Sequence, residues 1–488
     1  MWERTLARLP VAAQEGCPLV KVVQVDVETS DETLIPGATI ETYALVVNAE
    51  GLTIKAPSVF GVSHAFTTLL QLTLGVDGTP QLVEAAVTDG PRFGYRGLMI
   101  DTARHFMPVD FLHHILDSMA MNKLNVLHWH ITDDESFPLQ LPGVAGKLSE
   151  FGAFAPWATY TASDVAGLVA NASDYGITII PEIDMPAHCT SWAAAFPNTI
   201  VNCSAPFTHG STLNPAVDAT YDLVEQLLDG DPPPPFSHSS LVPSALLSPV
   251  SLVSHTVSVP LPLSLPLPPT PAALVAEFPS PWIHLGSDEI PETCWLSDAG
   301  VVAWMKSKGL TNGTQVEQFF FDEVFPKAVG AHGRAPMVWE EALALSLPAD
   351  VIVEAWKSSS LQEIVSRGLR GVNSYKWYLN HGDNVFGDGV WEDFYENDPL
   401  NWAKSGNTSL VLGGETAMWN VAVDATIFDQ VVWPRAAAAA EQLWSPQQAT
   451  RSAKDAATRM IEHRCRMLHA GVNAGPLESS YSRRSPCQ

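Results

Sequence analysis

Two adjacent carboxylates, Asp288 and Glu289, follow an apolar run and a glycine in this chain of 488 residues. The run Trp282-Ile-His-Leu285 predicts a buried strand, and Gly286 predicts a turn that presents both acids at its end. Adjacent carboxyl groups in a partly dry site push each other's pKa values apart, so that one keeps its proton. Such a pair suits the hydrolysis of glycosidic bonds, which needs a proton donor and a nearby negative charge. The alternative is an ordinary Asp-Glu pair in the first turn of a helix.

A second polar cluster lies in the segments Arg96-Gly-Leu-Met-Ile-Asp-Thr-Ala-Arg-His-Phe106 and Asn122-Lys-Leu-Asn-Val-Leu-His-Trp-His-Ile-Thr-Asp-Asp134. A guanidinium at the end of a strand can donate a fork of hydrogen bonds to vicinal sugar hydroxyls. His128 and His130 would share one face of a strand, as zinc ligands can, but a third ligand is not evident. We therefore expect no metal and no cofactor.

Short apolar segments alternate with helical patterns from Tyr95 onward, which predicts an α/β fold with a parallel sheet. The eight predicted strands cover residues 97–101, 124–130, 177–183, 282–285, 337–340, 351–356, 371–374 and 410–413. Eight such units favour a (β/α)8 TIM barrel over an open, doubly wound sheet. Eight carboxylates fall at or just beyond the carboxyl ends of these strands: Asp101, Asp133, Glu182, Asp184, Asp288, Glu289, Glu340 and Glu415. A barrel assembles its active site from those ends, so we expect these side chains to converge.

Residues 1–90 predict a small, non-catalytic α+β domain in front of the catalytic domain, which we place at 91–488. Strands are predicted at 22–27 and 43–47, a turn at 48–51, and a helix at 64–72. The first residues lack a basic stub followed by an apolar run, so no signal peptide is evident.

Acidic residues outnumber basic ones by 53 to 26, which gives a formal net charge of −27. This balance argues against nucleic acid or an anionic membrane as a partner, since both favour clustered Lys and Arg. The hydrophobic fraction of 46% allows a large buried core. The acidity fits a lysosomal or vacuolar compartment or secretion, although many cytosolic proteins are acidic as well.

Residues 231–271 interrupt this organisation. They hold 12 of the 38 prolines, and Asp231 is their only formally charged residue. The flanks 220–228 and 272–278 predict the two halves of one amphipathic helix, so the segment is an irregular insertion. We interpret it as a translated intron, because Pro, Leu and Ser codons are mostly pyrimidine, like the tract before a splice acceptor. A genuine Pro-rich surface loop is the alternative.

In their order and spacing, the motifs at 96–106, 122–134 and 282–289 resemble glycoside hydrolase family 20, the β-N-acetylhexosaminidases, and most closely its eukaryotic lysosomal and secreted members. The resemblance covers nearly the whole chain and implies a small α+β domain before a (β/α)8 barrel. It implies exo-acting hydrolysis of terminal non-reducing GlcNAc or GalNAc residues. The implied mechanism is retaining, and the substrate's own acetamido group forms an oxazolinium ion. A homodimer is a further expectation.

The resemblance also implies roles for single residues. Glu289 would be the general acid and later the base, and Asp288 would orient the acetamide and stabilise its developing charge. Tyr378 would donate to the acetamide oxygen, while Asp133 and His188 would support Glu289. The substrate-binding residues would be Arg104, Trp339, Trp356, Trp419 and Asn380.

The six cysteines form no CxxC pair, and the resemblance implies disulfides Cys203–Cys294 and Cys465–Cys487. Cys189 would be a free, buried thiol. Cys17 would lack its mate, so we expect that the natural start lies upstream and that the small domain is truncated. Sequons for N-glycosylation begin at Asn171, Asn202, Asn312 and Asn407.

Two residues depart from the pattern of the family. Ser287 stands in place of a glycine, and a serine with positive φ is strained by about 1–2 kcal/mol. Val421 stands in place of a glutamate that binds a sugar hydroxyl through a charged hydrogen bond worth about 1.5–3 kcal/mol. A catalytically impaired, carbohydrate-binding relative is therefore the alternative function. A glycosidase with a protein nucleophile is a third, and it would need a second carboxylate about 5 Å from Glu289.

Overall fold

The structure is a computed structural model that describes residues 22–29, 31–76, 79–201, 203, 211–228, 278–330, 333–380, 387–404, 406–450 and 452–477. Several sequence predictions lie outside the described residues. They concern the insertion at 231–271, the helix half at 272–277, Cys17, Asn202 and Cys487.

The small domain is built on a four-stranded sheet and one helix. The strands of the sheet are β1 (Val23–Val27), β2 (Tyr43–Asn48), β3 (Gly51–Ala56) and β6 (Ala85–Asp89), in the order β1-β3-β2-β6. A separate hairpin consists of β4 (Thr73–Val76) and β5 (Thr79–Leu82), and the helix α1 is Val59–Gln71. The predicted strands and helix are confirmed, while β3, β4, β5 and β6 were not predicted. The helix begins at Val59, before the predicted residue 64, because the Ser58 side chain caps it by accepting from the Gly61 amide.

The catalytic domain is a closed barrel of eight parallel strands. They are β7 (Tyr95–Asp101), β8 (Val126–Thr132), β9 (Thr178–Met185), β12 (Trp282–Gly286), β13 (Ala335–Trp339), β14 (Ile352–Ala355), β15 (Arg370–Asn373) and β16 (Val411–Met418). Strands that follow each other here are neighbours in the barrel, and β16 closes against β7. A short antiparallel pair, β10 (Ile200–Val201) and β11 (Thr212–Leu213), lies outside it. The predicted barrel after a small α+β domain is confirmed.

Helices follow the barrel strands. They are α2 (Val109–Met121), α3 (Lys147–Gly152), α4 (Ala162–Tyr175), α5 (Asp218–Leu228), α6 (Glu292–Ser297), α7 (Ala299–Lys308), α8 (Gly313–Gly330), α9 (Ser360–Ser366), α10 (Trp391–Glu396), α11 (Phe428–Val432), α12 (Arg435–Trp444) and α13 (Ala453–His469). Short 3-10 turns cover Gly143–Gly146, Thr190–Trp192, Pro197–Thr199, Glu340–Ala344, Pro399–Trp402 and Thr408–Leu410. In the part of the chain that the structure describes, no helix is both long and apolar enough to cross a membrane.

Side chains inside the barrel form layers, because every second residue of a strand points inward. The layer nearest the amino-terminal ends of the strands is apolar: Tyr95, Val126, Ile180, Trp282, Met337, Ile352 and Val372. Two residues further along the strands lies a polar layer, with His128, Glu182, His284, Trp339, Glu354 and Glu415. His130 and Asp184 belong to the next layer, at the mouth. Apolar side chains therefore close the barrel at the amino-terminal ends of its strands, and charged side chains line it toward the carboxyl ends.

Two carboxylates that were predicted at strand ends lie inside strands instead. Glu182 is within β9 and Glu415 is within β16, because both strands run further than predicted. The prediction ended the last strand at Gly413, but β16 continues through this glycine to Met418. A Cβ there would lie 1.9 Å from the Tyr95 carbonyl oxygen, so Gly413 permits close contact between β16 and β7.

Buried charges join the small domain to the amino-terminal end of the barrel. Arg96 Nη2 and Nη1 donate to Glu41 Oε1 and Oε2 at 2.6 Å and 2.9 Å, and His64 Nε2 lies 2.9 Å from Glu41 Oε1. The Arg96 guanidinium also lies 5.1 Å from the ring centre of Trp444, a residue of α12 that packs in the core of the small domain. The two domains are thus joined by this ion pair and by Trp444, which packs in the core of the small domain.

Candidate active site

The turn after β12 places its two acids in different surroundings. Gly286, Ser287 and Glu289 have φ values of +69°, +80° and +48°, in the left-handed region. A Cβ on Gly286 would lie 1.6 Å from Asp184 Oδ1, so only glycine fits at this position. The side chain of Asp288 is 13% exposed, whereas that of Glu289 is 40% exposed. One turn therefore supplies a buried carboxyl and an accessible one.

Ser287 has the positive φ that was expected at its glycine-like position. Its hydroxyl donates to Glu317 Oε1 at 3.2 Å, and its amide donates to the Met185 carbonyl at 3.1 Å. Burial raises the pKa of Glu317 to about 8. These two hydrogen bonds offset part of the strain of about 1–2 kcal/mol that a left-handed serine carries.

Asp288 belongs to a buried group with Asp184 and His188, in which one polar atom from each side chain lies within 4.8 Å of the others. Burial and the neighbouring Asp288 carboxylate raise the pKa of Asp184 well above its ordinary value. Burial also raises the pKa of Asp288, although the charge on His188 opposes this rise. Burial and the neighbouring carboxylate therefore favour protonation of Asp184 over protonation of Asp288.

His188 lies between Asp133 and the Glu289 carboxyl. His188 Nδ1 lies 3.1 Å from Asp133 Oδ1, while its Nε2 lies 3.8 Å from Glu289 Oε2 and 3.9 Å from Asp288 Oδ2. Burial would lower the pKa of His188, but Asp133 and Asp288 raise it to about 10, so the ring is a cation at neutral pH. Burial would raise the pKa of Asp133, but His188 and Arg104 hold it well below its ordinary value.

Arg104 is fixed by three carboxylates at the edge of the mouth. Its guanidinium lies 3.2 Å from Asp101 Oδ2, 2.7 Å from Asp133 Oδ2 and 3.2 Å from Glu135 Oε2. It also lies 5.2 Å from the ring centre of Trp419. The side chain is 14% exposed, so its position is set before a ligand arrives. Its predicted contact with ring hydroxyls stays a prediction.

The predicted aromatic wall comes together at the mouth. Trp339, Trp356, Trp419 and Tyr378 pack around one small apolar cluster. The ring centres of Trp339 and Trp419 are 5.8 Å apart, and those of Trp356 and Tyr378 are 6.1 Å apart. Burial raises the pKa of Tyr378 well above its ordinary value, so its hydroxyl keeps the proton that it would donate. These rings could grip an apolar methyl group and one face of a sugar.

Asn380 is buried against the loop that carries Trp419. Its Oδ1 accepts from the Trp419 amide at 2.9 Å, and its Nδ2 donates to the Trp419 carbonyl. In this structure the amide therefore holds the Trp419 backbone, and its predicted contact with substrate stays a prediction. Val421 follows on the same loop and is 41% exposed. Its side chain is apolar, so this position lacks the carboxylate that the resemblance to the family predicts.

Sequence reasoning gave no role to three residues that contact the site: Asp184, Glu182 and Glu317. The signal for the first two was present, since residues 182 and 184 alternate on one strand and must both point inward. Among the described residues, five groups of three His, Asp or Glu side chains lie close enough to hold a metal ion, including His128, Glu182 and His284. In that group both imidazoles lie within 3.0 Å of a Glu182 oxygen. The expectation of no metal stays a prediction.

The predicted Cys203–Cys294 disulfide is present. Cys465 is also in a disulfide, and its predicted partner Cys487 lies outside the described residues. Cys189 is free and buried, as predicted. Of the sequons, Asn312 and Asn407 are exposed, whereas Asn171 lies within α4 with its amide 3.0 Å from His113 Nδ1. Glycosylation at these positions stays a prediction.

Family comparisons match the chain on both sides of the insertion. Residues 93–230 and 272–447 match the model described as glycosyl hydrolase family 20, catalytic domain. Residues 8–72 match one described as β-acetyl hexosaminidase like. The catalytic match thus omits the segment 231–271.

Individual relatives cover most of the chain. Mouse β-hexosaminidase subunit β is 32% identical over 94% of this chain and 79% of its own length. β-Hexosaminidase 3 of Arabidopsis thaliana is 32% identical over 95% of this chain and 79% of its own. Among solved structures, the chitobiase of Flavobacterium johnsoniae is similar with a TM-score of 0.78 and 26% identity, covering 96% of this chain and 67% of that one.

Proposed function

The chain belongs to glycosyl hydrolase family 20, and from this premise we propose which of its residues carry out each step of the reaction. It is an exo-acting β-N-acetylhexosaminidase whose substrates are glycans that end in GlcNAc or GalNAc. Hydrolysis retains the anomeric configuration, because the acetamido group of the substrate attacks the anomeric carbon.

Glu289 is the general acid and base. It donates a proton to the glycosidic oxygen as the acetamide oxygen attacks, and the bond to the leaving group breaks. The same carboxylate then takes a proton from the water that opens the oxazolinium ion. The accessible position of Glu289 on the turn supports this role, and the cationic His188 beside it would stabilise the carboxylate that forms.

Asp288 orients the acetamide and stabilises the positive charge that develops on its nitrogen. Its buried position on the same turn supports this role, because a charge interaction is strong where water is excluded. Asp184 would hold the proton of the Asp184–Asp288 pair, which leaves Asp288 ionised when the oxazolinium ion forms. Tyr378 would donate to the acetamide oxygen, and Trp339, Trp356 and Trp419 would enclose its methyl group.

One observation carries this assignment: a single strained turn holds one acid beside the buried Asp184 and His188 and leaves its neighbour exposed at the mouth. The test is release of 4-nitrophenol from its N-acetyl-β-glucosaminide and from its β-glucoside. Turnover of only the first is expected. Sugar binding without turnover would indicate the impaired, carbohydrate-binding relative. Turnover of the plain glucoside would indicate a protein nucleophile.

The cellular setting and the domain division are part of the same proposal. We propose a lysosomal, vacuolar or secreted protein, which the Cys203–Cys294 disulfide supports because such bonds persist in oxidising compartments. Residues 1–90 would form the non-catalytic domain and 91–488 the catalytic one. A homodimer is proposed as well, since several relatives are named as subunits. Sedimentation equilibrium would distinguish a dimer from a monomer.

We propose that residues 231–271 take no part in catalysis, in agreement with their interpretation as a translated intron. The family match ends at residue 230 and resumes at residue 272, which supports a direct join between the flanks. Deletion of 231–271 is expected to keep or improve the yield of active enzyme. A peptide from within this segment, found by mass spectrometry in protein from the native source, would contradict the intron interpretation.

A further inference from the structure

One buried carboxylate, Glu182, contacts two parts of the site that act in different steps. It lies in the polar layer of the barrel and is 0% exposed. Its Oε2 accepts from His130 Nδ1 at 2.7 Å, and its Oε1 accepts from Trp339 Nε1 at 2.9 Å. The two oxygens thus fix an imidazole and an indole at once.

The imidazole side leads to the acid. His130 Nε2 lies 2.8 Å from Asp133 Oδ2. Because ionised carboxylates only accept, His130 donates from both ring nitrogens and is an imidazolium. Asp133 continues through its other oxygen to His188, whose Nε2 lies 3.8 Å from Glu289 Oε2. A chain of charge-assisted contacts therefore runs from Glu182 to the acid.

The indole side leads to the acetamide pocket. Trp339 is 1% exposed, and its ring centre lies 5.8 Å from that of Trp419. The hydrogen bond to Glu182 fixes the rotation of the Trp339 ring, and Trp419 packs against that ring. Without an acceptor, the indole N–H would favour another rotamer, because a buried donor needs a partner.

We propose that Glu182 is a positioning residue that aligns the Glu289 acid with the acetamide pocket. The inference rests on the roles proposed above for Glu289 and Trp339. In metal sites, removing a carboxylate that orients a functional histidine typically costs about 10- to 100-fold in activity, and we take the same scale here. We expect a loss of this size in kcat/KM for Glu182→Gln.

Titratable groups face Glu182 from every strand that packs against it. Three histidines contact it directly, His128 and His130 on β8 and His284 on β12. The remaining groups are the carboxyls near His128, Glu354 and Glu415, and the pair at the mouth, Asp184 and Asp288. Burial would lower the pKa of His130, but Glu182 raises it to about 9. Without Glu182, burial lowers the pKa of His130, and Asp133 loses part of the positive charge that lies beside it. The alkaline limb of the kcat/KM profile is then expected to move to higher pH.

Glu354 provides a matched control. It lies in the same polar layer and is also 0% exposed. Burial and the neighbouring Glu415 raise its pKa well above the ordinary value, so it is a neutral acid. Glu354→Gln therefore keeps both shape and charge and should leave kcat/KM and the pH profile unchanged. Glu182→Asp keeps the charge and should keep the wild-type alkaline limb, with an intermediate kcat.

The experiment compares these variants on aryl and alkyl N-acetyl-β-glucosaminides, because an alkyl leaving group depends more strongly on the acid. Support would be a larger loss for Glu182→Gln on the alkyl substrate and a shifted alkaline limb. A Glu182→Gln variant that matches Glu354→Gln would overturn the proposal. If Glu289→Gln also keeps its turnover of the alkyl substrate, the proposed function fails as well.

A second measurement keeps the test decisive if Glu182→Gln does not fold. In wild-type protein labelled with 15N-histidine, His130 should show two hydrogen-bonded ring N–H signals at pH 7.5. It should titrate near pH 9. Its contact with Trp419, whose ring centre is 4.9 Å away, identifies the signals. A single ring N–H, or titration below pH 7, would overturn the proposal.

Discussion

Two clusters of buried charge lie at opposite ends of the barrel. The mouth cluster consists of Arg104, Asp133, Asp184, His188 and Asp288. The joint cluster, between the small domain and the barrel, consists of Glu41, His64, Asp89, Arg96 and Lys123. Both combine carboxylates with a histidine and an arginine, but the pKa values of their acids are shifted in different directions.

In the joint cluster every acid is stabilised as an anion. Burial would raise the pKa of Glu41, but Arg96 and His64 hold it at about 2. In the mouth cluster, burial raises the pKa values of Asp184 and Asp288, and only Asp133 is held down by its cations. An acid with a lowered pKa stabilises the fold at neutral pH, whereas one with a raised pKa destabilises it. The comparison thus separates charges that hold domains together from charges kept for chemistry.

The largest expected effect is on turnover at the mouth. Glu289→Gln removes the transferable proton and should lower kcat by about 10²- to 10⁴-fold with a poor leaving group. The free energy of unfolding should stay unchanged, because the side chain is 40% exposed. Steady-state kinetics and urea denaturation check both parts. Near-normal rates would show that Glu289 is not the general acid. A large loss of stability would show that a mouth residue also holds the fold together, as the joint cluster does.

At the joint the same kind of substitution should act on stability alone. Glu41→Gln leaves the fully buried Arg96 without its anion and should cost about 3–5 kcal/mol of unfolding free energy. The kcat of the folded fraction should not change. Urea denaturation measures the first quantity and active-site titration followed by kinetics the second. Replacing both partners, as Glu41→Leu with Arg96→Met, is the control and should recover much of the loss.

Acid should reveal the same ion pair. The pKa of Glu41 is about 2 in the folded protein against an ordinary value of 4.5. Its contribution is therefore present above pH 4.5 and is lost as the pH falls through about 2. The stability of Glu41→Gln should fall less in this window than that of the wild type. Equal acid dependence would show that other groups hold the joint.

A carboxylate of the mouth cluster should behave in the opposite way. Asp288→Asn should lower turnover of N-acetyl substrates by about 10²-fold, since the oxazolinium loses its counter-charge. It should raise the unfolding free energy by about 1 kcal/mol near neutral pH, because it removes a carboxylate whose pKa is raised by burial. The raised pKa of Asp184 makes the contribution of this group to stability most favourable below about pH 3.8 and less favourable as the pH rises, and this slope should flatten. Thermal unfolding across pH 3–8 tests the sign.

The sequence predicted the mouth far better than the joint, for physical reasons. Asp288 and Glu289 end a strand that has a clear apolar pattern, and barrel topology places such ends together. Glu41 lies in a stretch without regular structure, and Arg96, its partner, is 55 residues away. No periodicity connects such residues. The prediction ended the last strand at Gly413, and the close contact that this glycine permits between β16 and β7 is evident only from the structure.

The smallest expected effect comes from adding a carboxylate at the mouth. Val421 is 41% exposed on the loop after Trp419, where the resemblance to the family predicts a glutamate that binds a sugar hydroxyl. Val421→Glu should lower KM by about 10- to 100-fold, which corresponds to one charged hydrogen bond of about 1.5–3 kcal/mol. Solvent would screen the new charge, so the unfolding free energy should change by less than about 0.5 kcal/mol.

Val421→Gln distinguishes the effect of a negative charge at this position from the effect of a longer side chain. It has the same length and a neutral acceptor, so its gain should correspond to about 0.5–1.5 kcal/mol and stay below that of the glutamate. Equal KM values for the wild type and both variants would mean that the loop directs residue 421 away from the sugar. A loss of stability in Val421→Glu alone would mean that the repulsion within the mouth cluster extends to this exposed position. The boundary of the mouth cluster would then have to include the Trp419 loop.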